Sequence, residues 1–299
     1  MTRLRADFLL LFAAAVWGLA FVFQKTAMAS LDPFSFLAAR ATVAALALAP
    51  LAYFEFTRTR QPAISSPAIP TGIIYAAFLA GLAFVTGGAL QQFGLKTATA
   101  TNGGFLTALY VVLTPPLAWL MSGTRPSPVI IPAVIMSAIG TWMLGGGAFT
   151  ALTPGDWLIA ACAMFWALHV ILSERGSAFN RPILFTCLQF VTVAAVAAAG
   201  SALTETVTIE ALRAAAGEIL YVGLLSSALT FTILTLALKY APASEASVIV
   251  STESLFAALA GALLLGERLT LIAWAGAALI MAAVVLVQVG PRAAKAEPA

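Results

Sequence analysis

Charge is scarce in this chain. Of its 299 residues, 9% are Asp, Glu, Lys or Arg, where an average soluble domain carries about 25%. A water-exposed surface cannot be built from so few. Cysteine is scarcer still. Cys162 and Cys187 each lie inside an apolar stretch with no loop partner, which argues against a disulfide framework and leaves them as small apolar residues. A single histidine, His169, excludes a two-histidine zinc motif, and no metal is expected. None of the four lysines follows a glycine in the pattern of a phosphate-binding loop, so ATP-driven pumping by this chain is not expected. No serine stands in a G-x-S-x-G turn. Catalytic signatures are missing, so the chain is not expected to be an enzyme and no cofactor is implied. An intramembrane enzyme would need a constellation of another kind.

What is abundant is apolar sequence: 62% of residues are hydrophobic and the mean hydropathy is +1.00. A bilayer span needs about 20 apolar residues. Ten can be drawn, near 6 to 27, 33 to 54, 70 to 93, 100 to 121, 128 to 147, 155 to 174, 182 to 201, 216 to 238, 244 to 264 and 270 to 289. Little is left for a soluble domain. Arg3 and Arg5, an apolar run and Ala27-Met28-Ala29 imitate a secretory leader. The run is already of spanning length, and Gln24 and Lys25 interrupt the would-be cleavage region, so it is expected to be the first span.

Positive residues fall mostly on one face of such a bundle: Arg3, Arg5, Arg58, Arg60, Arg125, Arg175, Arg181, Lys239, Arg292 and Lys295, against Lys96, Arg213 and Arg268 on the other. The positive-inside rule then expects both termini in the cytoplasm, as an even number of spans requires. The basic residues are scattered singly over short loops, so nucleic acid is not expected as a partner despite a net charge of +3.

The chain is written twice. Trp17, Pro33 and Phe36 recur as Trp166, Pro182 and Phe185, all at an offset of 149 (166 − 17). Lys96, Gly123 and Arg125 recur as Lys239, Gly266 and Arg268 at 143 (239 − 96). The six missing residues fall in the polar stretch between Tyr53 and Thr71, where an indel is tolerated. Two five-span copies, residues 1–149 and 150–299, meet near Thr153-Pro154-Gly155 after the Gly145-Gly146-Gly147 run. With an odd number of crossings each, the second must be inverted relative to the first, a plan common among solute transporters. Pro115-Pro116 removes the amides that would bond the carbonyls of Val111 and Val112, so the fourth span is expected to kink there.

Polar residues inside spans are costly and need a reason. Glu253 falls near the bilayer centre, where a charged carboxylate costs roughly 2.5 to 3.5 kcal/mol. It reads as a substrate-ammonium or proton site, or as a carboxyl bonded to Ser251, Ser254 or a facing helix. Arg40, whose counterpart is Gln189, could hold a carboxylate by a bidentate contact, snorkel outward or fix a helix pair. Lys25 reads as an interface snorkeller. His169, with Ser173 one turn on, reads as a hydrogen-bonded structural histidine or a proton relay coupled with Glu253. Gln91 and Gln92 are expected at the outer interface. Trp119, Trp142, Trp157, Trp274 and Tyr240 sit towards span ends as an aromatic belt. Trp17, Phe21, Phe36, Phe78, Tyr110, Trp166, Phe185 and Phe231 lie deeper. The symmetry of Trp17 with Trp166 and of Phe36 with Phe185 suggests a shared central surface.

Trp17-Gly18-Leu19-Ala20-Phe21-Val22, the run from Gly104 to Tyr110 leading to Pro115, and Gly266-Glu267-Arg268-Leu269 resemble the EamA-type transporters of the drug/metabolite transporter superfamily. Within it the chain looks most like the aromatic amino-acid exporters of the YddG kind. The resemblance covers essentially the whole chain. It implies a cavity between the halves, export of small metabolites and a bacterial inner membrane, with Trp17, Phe21 and Tyr110 as cavity-lining positions. Two departures stand out: Thr124 replaces the acidic residue that Glu267 supplies in the second copy, and Ala167 replaces Gly18.

The expected protein is thus an all-α membrane carrier of ten helices in two inverted repeats. Its cavity candidates are Trp17, Phe21, Phe36, Arg40, Phe78, Tyr110, Trp166, Phe185 and Glu253. Its partners are a small-molecule substrate and the lipid bilayer, with no obligate protein partner implied. An aromatic-rich cavity with one cation and one carboxylate suits a zwitterion with an apolar side chain. Lipophilic drugs or other metabolites are the rival cargo, and a non-transporting membrane sensor is the rival of another class.

Overall fold

The computed structural model describes residues 1–58, 69–123, 125–144 and 152–289. Most of the Gln61 to Pro70 joint, Thr124, the Gly145-Gly146-Gly147 run and the tail with Arg292 and Lys295 lie outside them, as does Arg60. The described residues are helical, with no strand among them. In chain order the helices are α1 (Arg3–Ala27), α2 (Pro33–Arg58), α3 (Thr71–Leu95), α4 (Ala100–Thr107), α5 (Tyr110–Ser122), α6 (Ile130–Leu144), α7 (Pro154–Ser177), α8 (Pro182–Thr204), α9 (Ile209–Ala214) and α10 (Ala216–Leu220). A π-helix, Tyr221–Leu229, continues α10 into α11 (Thr230–Ala237), and α12 (Ala243–Val250), α13 (Glu253–Leu264) and α14 (Leu271–Val289) complete the chain. Counting α4 with α5, α10 with α11 and α12 with α13, nine helices among the described residues are long and apolar enough to cross a membrane. The shorter apolar α6 stands where the fifth span is expected, and residues 145–151 that follow it lie outside the described set.

Polar contacts sort the helix ends onto two faces. Arg3 at the start of α1 pairs with Glu245 at the start of α12, and Arg175 near the end of α7 donates to the Met121 carbonyl near the end of α5 at 2.7 Å. On the opposite face Lys96 pairs with Asp32 at 2.9 Å, and Glu267 accepts from the Ala100 and Thr101 amides at 3.2 Å each, capping the start of α4. There too Asn102 meets Asp156. The second copy therefore begins on the face away from the amino terminus.

The inversion is plainest between α2 and α8. Glu55, near the end of α2, accepts from the Ile183 and Leu184 amides at the start of α8, at 3.4 and 2.8 Å. Glu205, just past the end of α8, accepts from the Phe34 and Ser35 amides at the start of α2, at 2.9 and 2.7 Å. Each helix supplies the acceptor that the other's free amides require. This reciprocity is only available to an antiparallel pair.

The fourth span does break, but not at Pro115-Pro116. Both prolines lie within α5, and the interruption falls earlier, at Ala108 and Leu109. The ninth span breaks at Ser251 and Thr252, 143 residues on, where the corresponding prolines are Ala258 and Leu259. The break thus belongs to the repeat and not to the prolines. In the ninth span the Ser251 and Thr252 hydroxyls donate to the carbonyls of Val248 and Ile249, both at 2.7 Å, replacing helical bonds lost at the interruption.

Candidate functional site

A cavity lined by both copies lies between them; the room it leaves for water-sized molecules is about 50 Å³, a narrow space that has to widen to hold a metabolite of ordinary pocket size, roughly 300 Å³ or more. Trp17, Phe21 and Gln24 project into it from one face of α1, at helical spacings of four and three. Its other walls include Arg40, Gln91, Tyr110, Trp166, His169, Phe231 and Glu253. Six of the nine expected cavity residues are therefore brought together, along with His169. Phe36, Phe78 and Phe185 are not. Phe36 is fully buried in a cluster of α1, α2 and span-eight residues, and Phe185 packs against Gly176, where an added Cβ would lie 2.2 Å from its ring. Phe78 is 46% exposed on the outside of α3.

The aromatic wall is held in place from both copies. The Trp17 indole donates to the Ser226 carbonyl at 2.9 Å, a group presented by the π-helix. Trp166, its symmetry partner, donates to Gln91 Oε1 at 2.9 Å. The Phe231 ring lies 4.8 Å from Trp17 and 5.0 Å from Phe84, and Phe84 is edge-on to Trp166, His169 and Phe190.

Arg40 is buried, with Nη1 donating to Gln24 Oε1 at 2.8 Å and its guanidinium 5.4 Å from the Phe84 ring centre. It neither snorkels nor forms an ion pair among the described residues. Gln91 Nε2 reaches the same Gln24 oxygen at 3.4 Å. A chain of side chains thus runs from Trp166 through Gln91 and Gln24 to Arg40. Gln91 and Gln92, expected at the interface, are instead buried, because their helix turns them inward between α1 and α7. Lys25 does not simply reach for water: its ammonium caps α3, 2.8 Å from the Leu95 carbonyl.

His169 Nε2 lies 3.0 Å from Gln189 Oε1 and 3.4 Å from Ser173 Oγ. With the amide oxygen so assigned, Nε2 carries the proton and Nδ1 is an acceptor with no partner among the described residues. Gln24 with Arg40, and Ser173 with Gln189, are equivalent pairs in the two copies, both at an offset of 149.

Glu253 has neither serine as a partner. Ser251 Oγ bonds Ser137 Oγ at 2.9 Å, and Ser254 Oγ donates to the Ser251 carbonyl at 2.8 Å. The carboxyl instead faces the Tyr110 hydroxyl. Both side chains are about 95% buried, and Tyr110 Oη and Glu253 Oε1 have no hydrogen bond of good geometry. Arg40 Nε likewise has no acceptor among the described residues. Native proteins leave few buried polar groups unsatisfied, so Arg40 Nε and a carboxyl facing the Tyr110 hydroxyl mark this cavity as a place where a polar group or water can bind.

Close helix approach frames the site. An added Cβ on Gly18 would lie 2.3 Å from Phe256 Cβ and 2.7 Å from the Glu253 carbonyl oxygen, so α1 and α13 touch backbone to backbone beside Glu253. Gly104 similarly admits Ala257, whose Cβ would be 2.4 Å away. Glu267 has a task of its own in capping α4, and that accounts for an acidic residue at this turn of the second copy.

A two-copy bundle of membrane-length helices around one central, partly polar cavity defines a membrane carrier fold. The chain matches the EamA-like transporter family twice, over residues 4–146 and 153–289, and belongs to that family. It is 29% identical over 291 residues to an "Uncharacterized transporter" of Archaeoglobus fulgidus, covering 95% of this chain and 86% of that one. It is 27% identical over 217 residues to the "Uncharacterized inner membrane transporter YicL" of Salmonella typhimurium, covering 66% of each. A solved structure described only as a crystal structure of a protein superposes with a TM-score of 0.73 at 16% identity, over 94% of this chain and 96% of that one, a likeness of fold.

Proposed function

We propose that this multi-pass transporter exports small amphipathic metabolites, chiefly amino acids with aromatic or other apolar side chains. In this reading Arg40 meets the carboxylate, Glu253 with Tyr110 meets the ammonium, and the aromatic wall of Trp17, Trp166 and Phe231 receives the side chain. Residues 1–149 and 150–299 act as inverted units that expose the cavity alternately to the two sides. The protein resides in a bacterial inner membrane with both termini cytoplasmic, on the strength of its loop charges. The observation that carries the reading is a buried guanidinium, with Arg40 Nε lacking an acceptor among the described residues, and a buried Glu253 carboxyl beside the Tyr110 hydroxyl on one aromatic cavity. A guanidinium and a carboxyl on a largely apolar surface are the complement of an apolar zwitterion. Uptake of labelled phenylalanine and threonine into liposomes holding the purified protein tests it. Saturable uptake of phenylalanine is expected. Equal failure of both amino acids, with protein shown to be folded, would remove the amino-acid proposal.

A further inference from the structure

Asp7 and Asp156 are 149 residues apart, and Asn102 and Glu245 are 143 apart, the two offsets that relate the copies. The chain therefore builds one junction twice, once on each face. Away from the amino terminus, Asn102 of α4 donates from Nδ2 to Asp156 Oδ1 of α7 at 3.1 Å. On the amino-terminal face the corresponding residues are Glu245 of α12 and Asp7 of α1, both carboxylates and only 4% and 5% exposed. Arg3 joins them, its Nε 3.8 Å from Asp7 Oδ2 and its Nη2 donating to Glu245 Oε2.

Each junction sits at the tip of a half-helix. α12 runs from Glu245 to the break at Ser251 and Thr252, beside which Val250 and Glu253 line the cavity. Past the break, α13 is fixed to α1 by the backbone contact at Gly18. α12 is therefore a segment hinged at the cavity whose far end is tied to α1 by a charge cluster. α4 is its counterpart, broken from α5 beside Thr107 and tied at its tip to α7 by Asn102 and Asp156, with Glu267 as an added cap.

We propose that Asp7, Arg3 and Glu245 form a latch that keeps the cavity shut toward the amino-terminal face, and that Asn102 with Asp156 is the equivalent latch toward the other. The proposal rests on the carrier reading above. The two latches differ in kind. Arg3 is a charged bridge that meets a buried carboxylate on each helix, and its removal deletes both contacts at once. Asn102 supplies a single neutral donor, and without it Asp156 still accepts from the Thr153 amide and hydroxyl at 2.7 and 2.8 Å. Loss of the first latch is therefore the more consequential.

The test uses the full chain with Cys162→Ala, Cys187→Ala and Val250→Cys, which puts one thiol on the cavity wall at the hinge. Its reaction with a membrane-impermeant maleimide is timed from each face in oriented vesicles. Arg3→Gln is expected to speed labelling from the amino-terminal face about fivefold or more, the range of an ordinary conformational coupling. Labelling from the opposite face should not accelerate, and Arg3→Lys should return the rate towards the parent. Asn102→Leu should speed the opposite face by a smaller factor. Should Arg3→Gln fail to fold, Glu245→Gln gives the same direction with a smaller change. Rates from the amino-terminal face unaffected by either variant, or raised equally from both faces, would overturn the latch. Access that alternates between faces without any Arg3 effect removes the latch and keeps the carrier. An Arg3 effect on a cavity reached from one face in every variant and with every substrate keeps the latch and removes alternating access.

Discussion

Tyr110 and Glu253 stand 143 residues apart, the offset of Lys96 and Lys239, and each is the first residue after the break in its own span. Duplication and inversion thus bring the same position of both copies to the middle of the cavity, where a hydroxyl confronts a carboxyl. One copy supplies a carboxyl and the other a hydroxyl. The pair is polar without being doubly acidic, suited to a single positive group.

Glu253→Gln should therefore weaken binding of amines selectively. A charged hydrogen bond contributes about 1.5 to 3 kcal/mol, roughly ten- to a hundredfold in affinity. Titration calorimetry with phenylalanine and with 3-phenylpropionate checks this: only phenylalanine should lose affinity. Equal losses for both ligands would assign Glu253 to the fold.

Arg40→Met should show the reverse selectivity, losing affinity for phenylalanine and 3-phenylpropionate while sparing phenethylamine. Arg40→Lys should recover little, because an ammonium cannot keep both the Gln24 bond and a second planar contact. Counterflow competition among the three compounds distinguishes these outcomes. Loss of phenethylamine as well would mean that the Gln24 to Trp166 chain had collapsed.

Gly18→Ala should destabilise the protein by about 1 to 3 kcal/mol, the usual cost of forcing added volume into a packed contact. The inserted carbon meets backbone atoms of α13 that cannot step aside. Its counterpart Ala167 already carries a Cβ and is fully buried, so Ala167→Gly should cost less, within about 1 kcal/mol. Thermal unfolding in one detergent compares the two, and a larger shift for Ala167→Gly would contradict the α1–α13 contact.

Glu267→Ala should cost about 0.5 to 2 kcal/mol, as loss of a helix cap does, and should expose the amides of Ala100 and Thr101. Hydrogen exchange should quicken at the start of α4 before it changes at α12, which has a different partner. Uniform acceleration along the chain would count against a local cap.

The duplication was legible because Trp17 with Trp166 and Phe36 with Phe185 kept both identity and spacing. Arg40, His169 and Glu253 were legible because a polar group inside a span is expensive and so conspicuous. Gln91 was misread, since counting depth along one helix says how near the surface a residue lies and not which neighbour it faces. Gln24 interrupts a would-be cleavage region, and its spacing from Trp17 and Phe21, which puts all three on one face of α1, is the signal that marks it as a cavity residue. Phe36 and Phe185 kept their symmetry as packing residues, so repetition alone does not separate a cavity wall from a core. The breaks at Ala108 and Ser251 carry no residue signal common to both copies, and Pro115 and Pro116 lie within α5, past the first of them.

The central claim is a carrier that binds its cargo between inverted halves. Counterflow with purified protein addresses it most directly. Liposomes preloaded with unlabelled phenylalanine should transiently accumulate external labelled phenylalanine above equilibrium, and this overshoot should vanish in protein-free liposomes and fall with Glu253→Gln. Folded, membrane-inserted protein giving no overshoot with phenylalanine, threonine or any member of a wider metabolite panel would contradict the account.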